Sequence, residues 1–175
     1  MPFLHIVGVS NTEQNFKLTY CFLPGETEVN YGFAIQQLYL LYHRYNLKPK
    51  VVITDKEQAL KNALRMYFPG VPQLLCLWHV AKNVLTHVQS NWVIHRDLSN
   101  EEKEKIQEHR DNFMKRWVDC YSQNTSEKFT TAWDQLMEDY NDQEQLISYF
   151  KDEWWPYRRE FATCYTDLFM HFGNR

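Results

Sequence analysis

The chain opens on FLHIVGV (residues 3–9), an unbroken apolar run, followed by the turn-rich break SNTEQN and then by FKLTYCFL (16–23), where apolar and polar positions alternate. A period of two marks a strand with one buried face. The pattern predicts a β-hairpin with Phe16, Leu18, Tyr20 and Phe22 on one face and Lys17, Thr19 and Cys21 on the other, stopped by Pro24-Gly25. The period then lengthens. A helix is expected from about Thr27 to Tyr45, with Ala34, Leu38, Leu41, Tyr42 and Tyr45 at helical spacing. KVVIT (50–54) reads as a short buried strand, followed by a helix carrying Leu60, Ala63, Leu64 and Tyr67 that Pro69-Gly70 ends. PQLLC (72–76) is another short strand and leads into a helix with Val80, Val84, Leu85 and Val88.

The order β-β-α-β-α-β-α predicts an α/β unit in which helical crossovers join the later strands to an antiparallel hairpin, giving a mixed sheet with flanking helices. From about residue 97 the strand signal disappears. Ser99-Asn100-Glu101-Glu102 has the S-x-x-E form of a capping box. Ile106, Phe113, Trp117 and Tyr121 form a stripe behind it, and Phe129, Trp133, Leu136, Met137 and Tyr140 form a second. A third helix carries Leu146, Tyr149, Phe150 and Trp154 and should break near Trp155, because Pro156 follows. The expected organisation is an α/β unit over 1–96 and an all-helical region over 97–175.

Charge sharpens this division. Residues 1–95 carry eight Lys/Arg and five Asp/Glu, whereas residues 96–175 carry eleven and seventeen. A net charge of −3 excludes the strongly basic profile of a stand-alone nucleic-acid binder, so any DNA contact must be local. Aromatic residues make up 16% of the chain, which excludes disorder and promises dense packing. Cys21, Cys76, Cys120 and Cys164 lie far apart and form no disulfide framework. No basic leader precedes the first apolar run, and no apolar stretch approaches the length of a membrane helix. The chain reads as soluble and intracellular.

The candidate chemistry centres on Asp55. Locally, Thr54-Asp55-Lys56-Glu57 fits a capping box with Thr54 as the cap, and an acid in a helix's first turn suits the helix dipole. Its place at the carboxyl end of a buried strand in an α/β sheet points instead to chemistry. A pair of Mg²⁺ ions for phosphoryl transfer needs several hard oxygen ligands, so one aspartate cannot act alone.

The run VITDKEQALKNALRMYFPGVPQLLCLWHVAKNVL (52–85) resembles the transposase domain of Mutator-like elements. The resemblance is carried by Thr54-Asp55, Phe68-Pro69, Leu75-Cys76-Leu77-Trp78-His79 and Lys82-Asn83, in that order, with the opening MPFLHIVGVS and the LPGE turn as lead-in. The spaced Trp and Tyr residues of the second half resemble the helical insertion of these transposases. The resemblance implies an RNase H-like fold and a DDE-type site that uses Mg²⁺ or Mn²⁺ to cut and join DNA, with Asp55 as the second catalytic carboxylate. It implies DNA (transposon ends) as the partner, possible homo-oligomerisation, no membrane, and a nuclear location. By the family's pattern the first aspartate falls before Met1, on a strand then missing from the sheet, and the final glutamate falls after Arg175. The chain is therefore expected to be a fragment that is inactive alone; the alternative is a domesticated, transposase-derived DNA- or protein-binding regulator. Glu144, Glu153, Glu160 and Asp167 read as solvated surface.

Cys76 and His79 make a C-x-x-H pair, which is half of a zinc site. A buried thiol and a first-turn imidazole are the expected reading, a supporting position near the active site the second, and a full zinc site the third. Arg44, Lys48, Lys50, Lys56, Lys61, Arg65 and Lys82 are candidate phosphate contacts that otherwise read as ordinary surface. The aromatics Trp117, Trp133, Trp154 and Trp155 read as core.

Overall fold

The computed structural model describes residues 1–10, 12–93 and 99–171. The expected boundary at 96/97 lies outside them, as does the end of the FMHFGNR stretch. The elements are β1 (Phe3–Val9), β2 (Asn15–Phe22), α1 (Glu28–Arg44), β3 (Val52–Thr54), α2 (Gln58–Tyr67), β4 (Gln73–Leu75), α3 (Leu77–Asn91), α4 (Asn100–Tyr121), α5 (Ser126–Asp139) and α6 (Glu144–Tyr149). A π-helical turn (Phe150–Trp154), a 3₁₀ turn (Trp155–Tyr157) and two short helices, α7 (Arg158–Phe161) and α8 (Thr163–Thr166), complete the order. The protein is thus a mixed α/β chain, α/β first and all-helical afterwards. It divides into two compact units, Met1–Leu74 with Phe169–Arg175, and Leu75–Leu168.

In the first unit the hairpin forms as expected, but its inner face differs. The ladder runs Ile6↔Thr19 and then Val7↔Lys17, leaving Leu18 as the extra residue of a bulge. The bulge breaks strict alternation. Leu4, Ile6, Leu18 and Cys21 therefore pack on the core, whereas Phe16, Tyr20 and Phe22 are exposed. Phe3, His5, Tyr20 and Phe22 stack on one another on the outer face. Among the described residues the strands make two two-stranded sheets, β1-β2 and β3-β4, in place of one mixed sheet.

Thr27 caps α1, accepting from the Asn30 N–H through its side chain. The helix buries Tyr31, Ala34, Ile35 and Leu38 against Leu60, Ala63, Leu64 and Phe68. Leu41 and Tyr45, expected on that inner face, are exposed. The chain leaves α2 through Gly70, whose φ of +74° lies in the left-handed region while its side-chain position meets open space. Gly70→Ala should therefore cost about 1–2 kcal/mol through backbone strain alone, read as a lower urea midpoint at unchanged m-value.

The second unit is built on aromatic rings. Phe113, Trp117, Phe129, Trp133, Phe150 and Trp154 are fully or almost fully buried, as the spacing predicted; Phe161, outside the predicted stripes, is buried with them, and Trp155 packs against them partly covered. Val80, Val84 and Val88 of α3 join the same core, while Leu85 faces solvent. The Ser99 box is present: its hydroxyl accepts from the Glu102 N–H at 3.3 Å, and Glu102 Oε2 accepts from the Ser99 N–H at 2.8 Å. Pro156 enters at the start of the 3₁₀ turn, so the helix that begins at Glu144 is broken where proline demands. No helix among the described residues is long and apolar enough to cross a membrane.

Candidate functional site

Asp55 follows the last residue of β3 and is exposed. It does not lie in the first turn of α2. Thr54 is not the cap of that helix either, because Asp55, Lys56 and Glu57 form a turn between strand and helix. Glu57 is the N-cap, accepting from the Ala59 N–H through Oε1 at 3.0 Å. Thr54 Oγ1 donates instead to the Asp55 carbonyl at 2.8 Å. Asp55 Oδ1 accepts from the Glu57 N–H at 3.2 Å, an Asx-type turn that orients the carboxylate. That bond engages one oxygen of two, and a carboxylate can accept further hydrogen bonds or a cation through the rest of its lone pairs.

The surroundings are acidic. Tyr31, buried on α1, has its phenol pushed above its ordinary value, first by burial and then by the negative charges of Glu26, Glu57 and Asp55. Asn62 Nδ2 of α2 donates to Glu28 Oε2 of α1 at 3.0 Å, tying the two helices together. Lys61, counted as surface from the sequence, is buried on the inner side of α2, which removes it from phosphate contact. Lys48 reaches the Pro69 carbonyl at 3.4 Å, and Arg65 is held to Asn62 at 3.1 Å.

Cys76 and His79 lie in the second unit. Cys76 is the N-cap of α3 with a half-buried free thiol and no side-chain capping bond. His79 is also half-buried, and its Nδ1 is buried without a hydrogen-bond partner. Its ring meets the edge of Trp78 at 4.8 Å and 86°. Among the described residues no group of three or more His, Cys, Asp or Glu is placed to hold a metal ion.

Trp78 and Lys82 were missed as a unit by sequence reasoning. Trp78 is 61% exposed, and Lys82 Nζ sits 5.0 Å from the centre of its ring. The available signal was the phase of the helix: Trp78 falls off the stripe Val80, Val84 and Val88, so it cannot be core.

The family model described as the MULE transposase domain matches residues 1–83. Residues 1–83 are thus similar to the MULE transposase domain. That span holds the hairpin, Asp55, Cys76, His79, Trp78 and Lys82. Protein FAR1-RELATED SEQUENCE 4 of Arabidopsis thaliana is 26% identical over 144 residues, covering 81% of this chain and 17% of the relative. Protein FAR1-RELATED SEQUENCE 2 of the same plant is 26% identical over 163 residues, covering 90% of this chain and 18% of the relative. The PKS-NRPS hybrid synthetase cheA of Chaetomium globosum is 23% identical across 100% of the chain but only 4% of its own length. The chain thus spans under a fifth of each of these relatives. No solved structure matches it.

Proposed function

We propose that this chain is part of a MULE-type DNA transposase, with an RNase H-like core in the first unit, and that Asp55 is a metal-binding carboxylate of its DDE site. The observation that carries this reading is the placement of Asp55. It is an exposed acid immediately past a strand, with one oxygen fixed by a backbone N–H of the following turn, in a segment similar to the MULE transposase domain. The charges of Glu26, Glu57 and Asp55, which add to burial in raising Tyr31, favour a cation at this place. Hard oxygen donors of this kind suit Mg²⁺ or Mn²⁺.

The donor set among the described residues does not complete a two-metal site, because no third acidic or imidazole group joins Asp55 in a metal-holding cluster. The remaining carboxylates of the active site are therefore assigned outside these residues, and no cleavage step is assigned to this chain by itself. In the whole protein the substrate would be the DNA at the element's ends, and the nucleus the place of action.

In a plasmid-nicking assay with Mg²⁺ or Mn²⁺, the purified 175-residue chain should leave supercoiled DNA intact. Metal-dependent nicking that Asp55→Ala abolishes would show that the chain holds a full site, and would overturn the assignment of the other ligands elsewhere.

A further inference from the structure

We propose that the solvent face of α3 is a nucleic-acid contact, in which the Trp78 indole stacks on an unpaired base and Lys82 meets the adjoining phosphate. This contact rests on DNA being the partner, as proposed above, and adds the residues and the strand state they recognise.

Four of the six tryptophans are buried and Trp155 is partly covered by the aromatic core; Trp78 alone stands mostly in water. Its orientation is nevertheless set by its neighbours. Lys82, one turn further along α3, holds its ammonium over one side of the ring, and His79 abuts it edge-on. A ring with a cation beside it and a free surface is the combination by which single strands are held, because every base has a π-face and every base is followed by a phosphate.

The charge pattern favours the same partner. The segment Leu75–Leu168 carries seventeen Asp/Glu against eleven Lys/Arg, yet none of those carboxylates lies on α3. Over its 15 residues the only fixed charge is Lys82. A polyanion can therefore approach this helix without meeting an acid on it. Trp78, Lys82 and Thr86 follow one another at a spacing of four and so share a face. Beyond them a shallow groove of about 320 Å³ is lined by Asn83, Thr86, Ser90 and Asn91 and closed by the His87–Tyr149 ring stack at 3.6 Å. Neutral amides and hydroxyls of this kind suit sugar and phosphate oxygens. A protein partner would call for a continuous apolar patch, whereas the large exposed apolar side chains of α3 are Trp78 and Leu85 alone, set among Lys82, Asn83 and Thr86.

The test is fluorescence anisotropy with a labelled oligo(dT) strand about 20 nucleotides long, enough to span one single-strand site, and a duplex of matched length. Wild-type chain should bind the strand, and Trp78→Ala should weaken it roughly 5- to 100-fold, the range expected for one lost base stack. Trp78→Phe should keep most of the affinity. Lys82→Gln should lower the slope of log affinity against log salt by about 0.7, one phosphate contact on a single strand. Unchanged far-ultraviolet circular dichroism of Trp78→Ala, whose ring is outside the core, checks the fold. Strand binding indifferent to Trp78→Ala overturns the proposal. So does duplex binding without strand binding, which would leave DNA as the partner while removing the stacking contact. Binding to neither overturns both.

Discussion

Trp117→Ala should be the most damaging single change in the second unit. Trp117 is fully buried on α4, edge-on or tilted to Tyr121, Trp133, Phe150 and Phe161 at centroid distances of 5.3, 5.9, 5.0 and 5.4 Å. Removing the indole takes away the ring about which α4, α5, the π-helical turn and α7 meet, and leaves a cavity that rigid aromatic neighbours fill poorly. The expected cost is about 3–5 kcal/mol. For a unit of this size it should lower the melting temperature by roughly 15–30 °C.

Trp117→Phe separates packing from chemistry at this position. The indole Nε1 is buried without a hydrogen-bond partner, a group whose burial costs about 1–3 kcal/mol. Phenylalanine keeps an aromatic ring among aromatic rings and removes that N–H, so it should lose less than half of what alanine loses. Equal melting temperatures for the two variants would contradict the ring-packing explanation.

The second unit was legible in the sequence because its helices obey one rule: apolar rings recur at helical spacing, and those rings are its core. The capping box at Ser99 was legible for the same reason, since both of its bonds are local. The misreadings arose where a non-local event reset the pattern. In the hairpin, one extra residue at Leu18 shifts the register and turns Tyr20 and Phe22 outward, and no composition rule announces a bulge. Lys61 looked like surface because a lysine on a helix usually is, but it falls among the buried residues of α2, beside Leu60, Ala63 and Leu64.

The candidate site was legible in position and not in detail. Asp55 follows the strand as the sequence led one to expect, whereas the capping spacing Thr54…Glu57 suggested a helix start that is not there. The strand needs a turn before the helix can begin, so Glu57 caps its own helix and Asp55 is left beside the turn rather than inside the helix. The aspartate is thus freed from the role that local spacing gave it. In the Cys76-to-His79 motif the two residues of metal-ligand type are half-buried, while the exposed ring of Trp78 lies between them.

The second large effect concerns Asp55 itself. Asparagine keeps the shape of the side chain and the Oδ1 that accepts from the Glu57 N–H, but removes the charge, so Asp55→Asn should fold normally and lose cation affinity. Mn²⁺ is paramagnetic and suits the same oxygen donors as Mg²⁺. In ¹⁵N-¹H spectra of the 175-residue chain, traces of Mn²⁺ should broaden the amides of Thr54, Asp55, Lys56 and Glu57 first, and Asp55→Asn should restore them. Sharp Thr54–Glu57 amides while other acidic positions broaden, or the same broadening in Asp55→Asn, would contradict the assignment of Asp55 as a metal ligand.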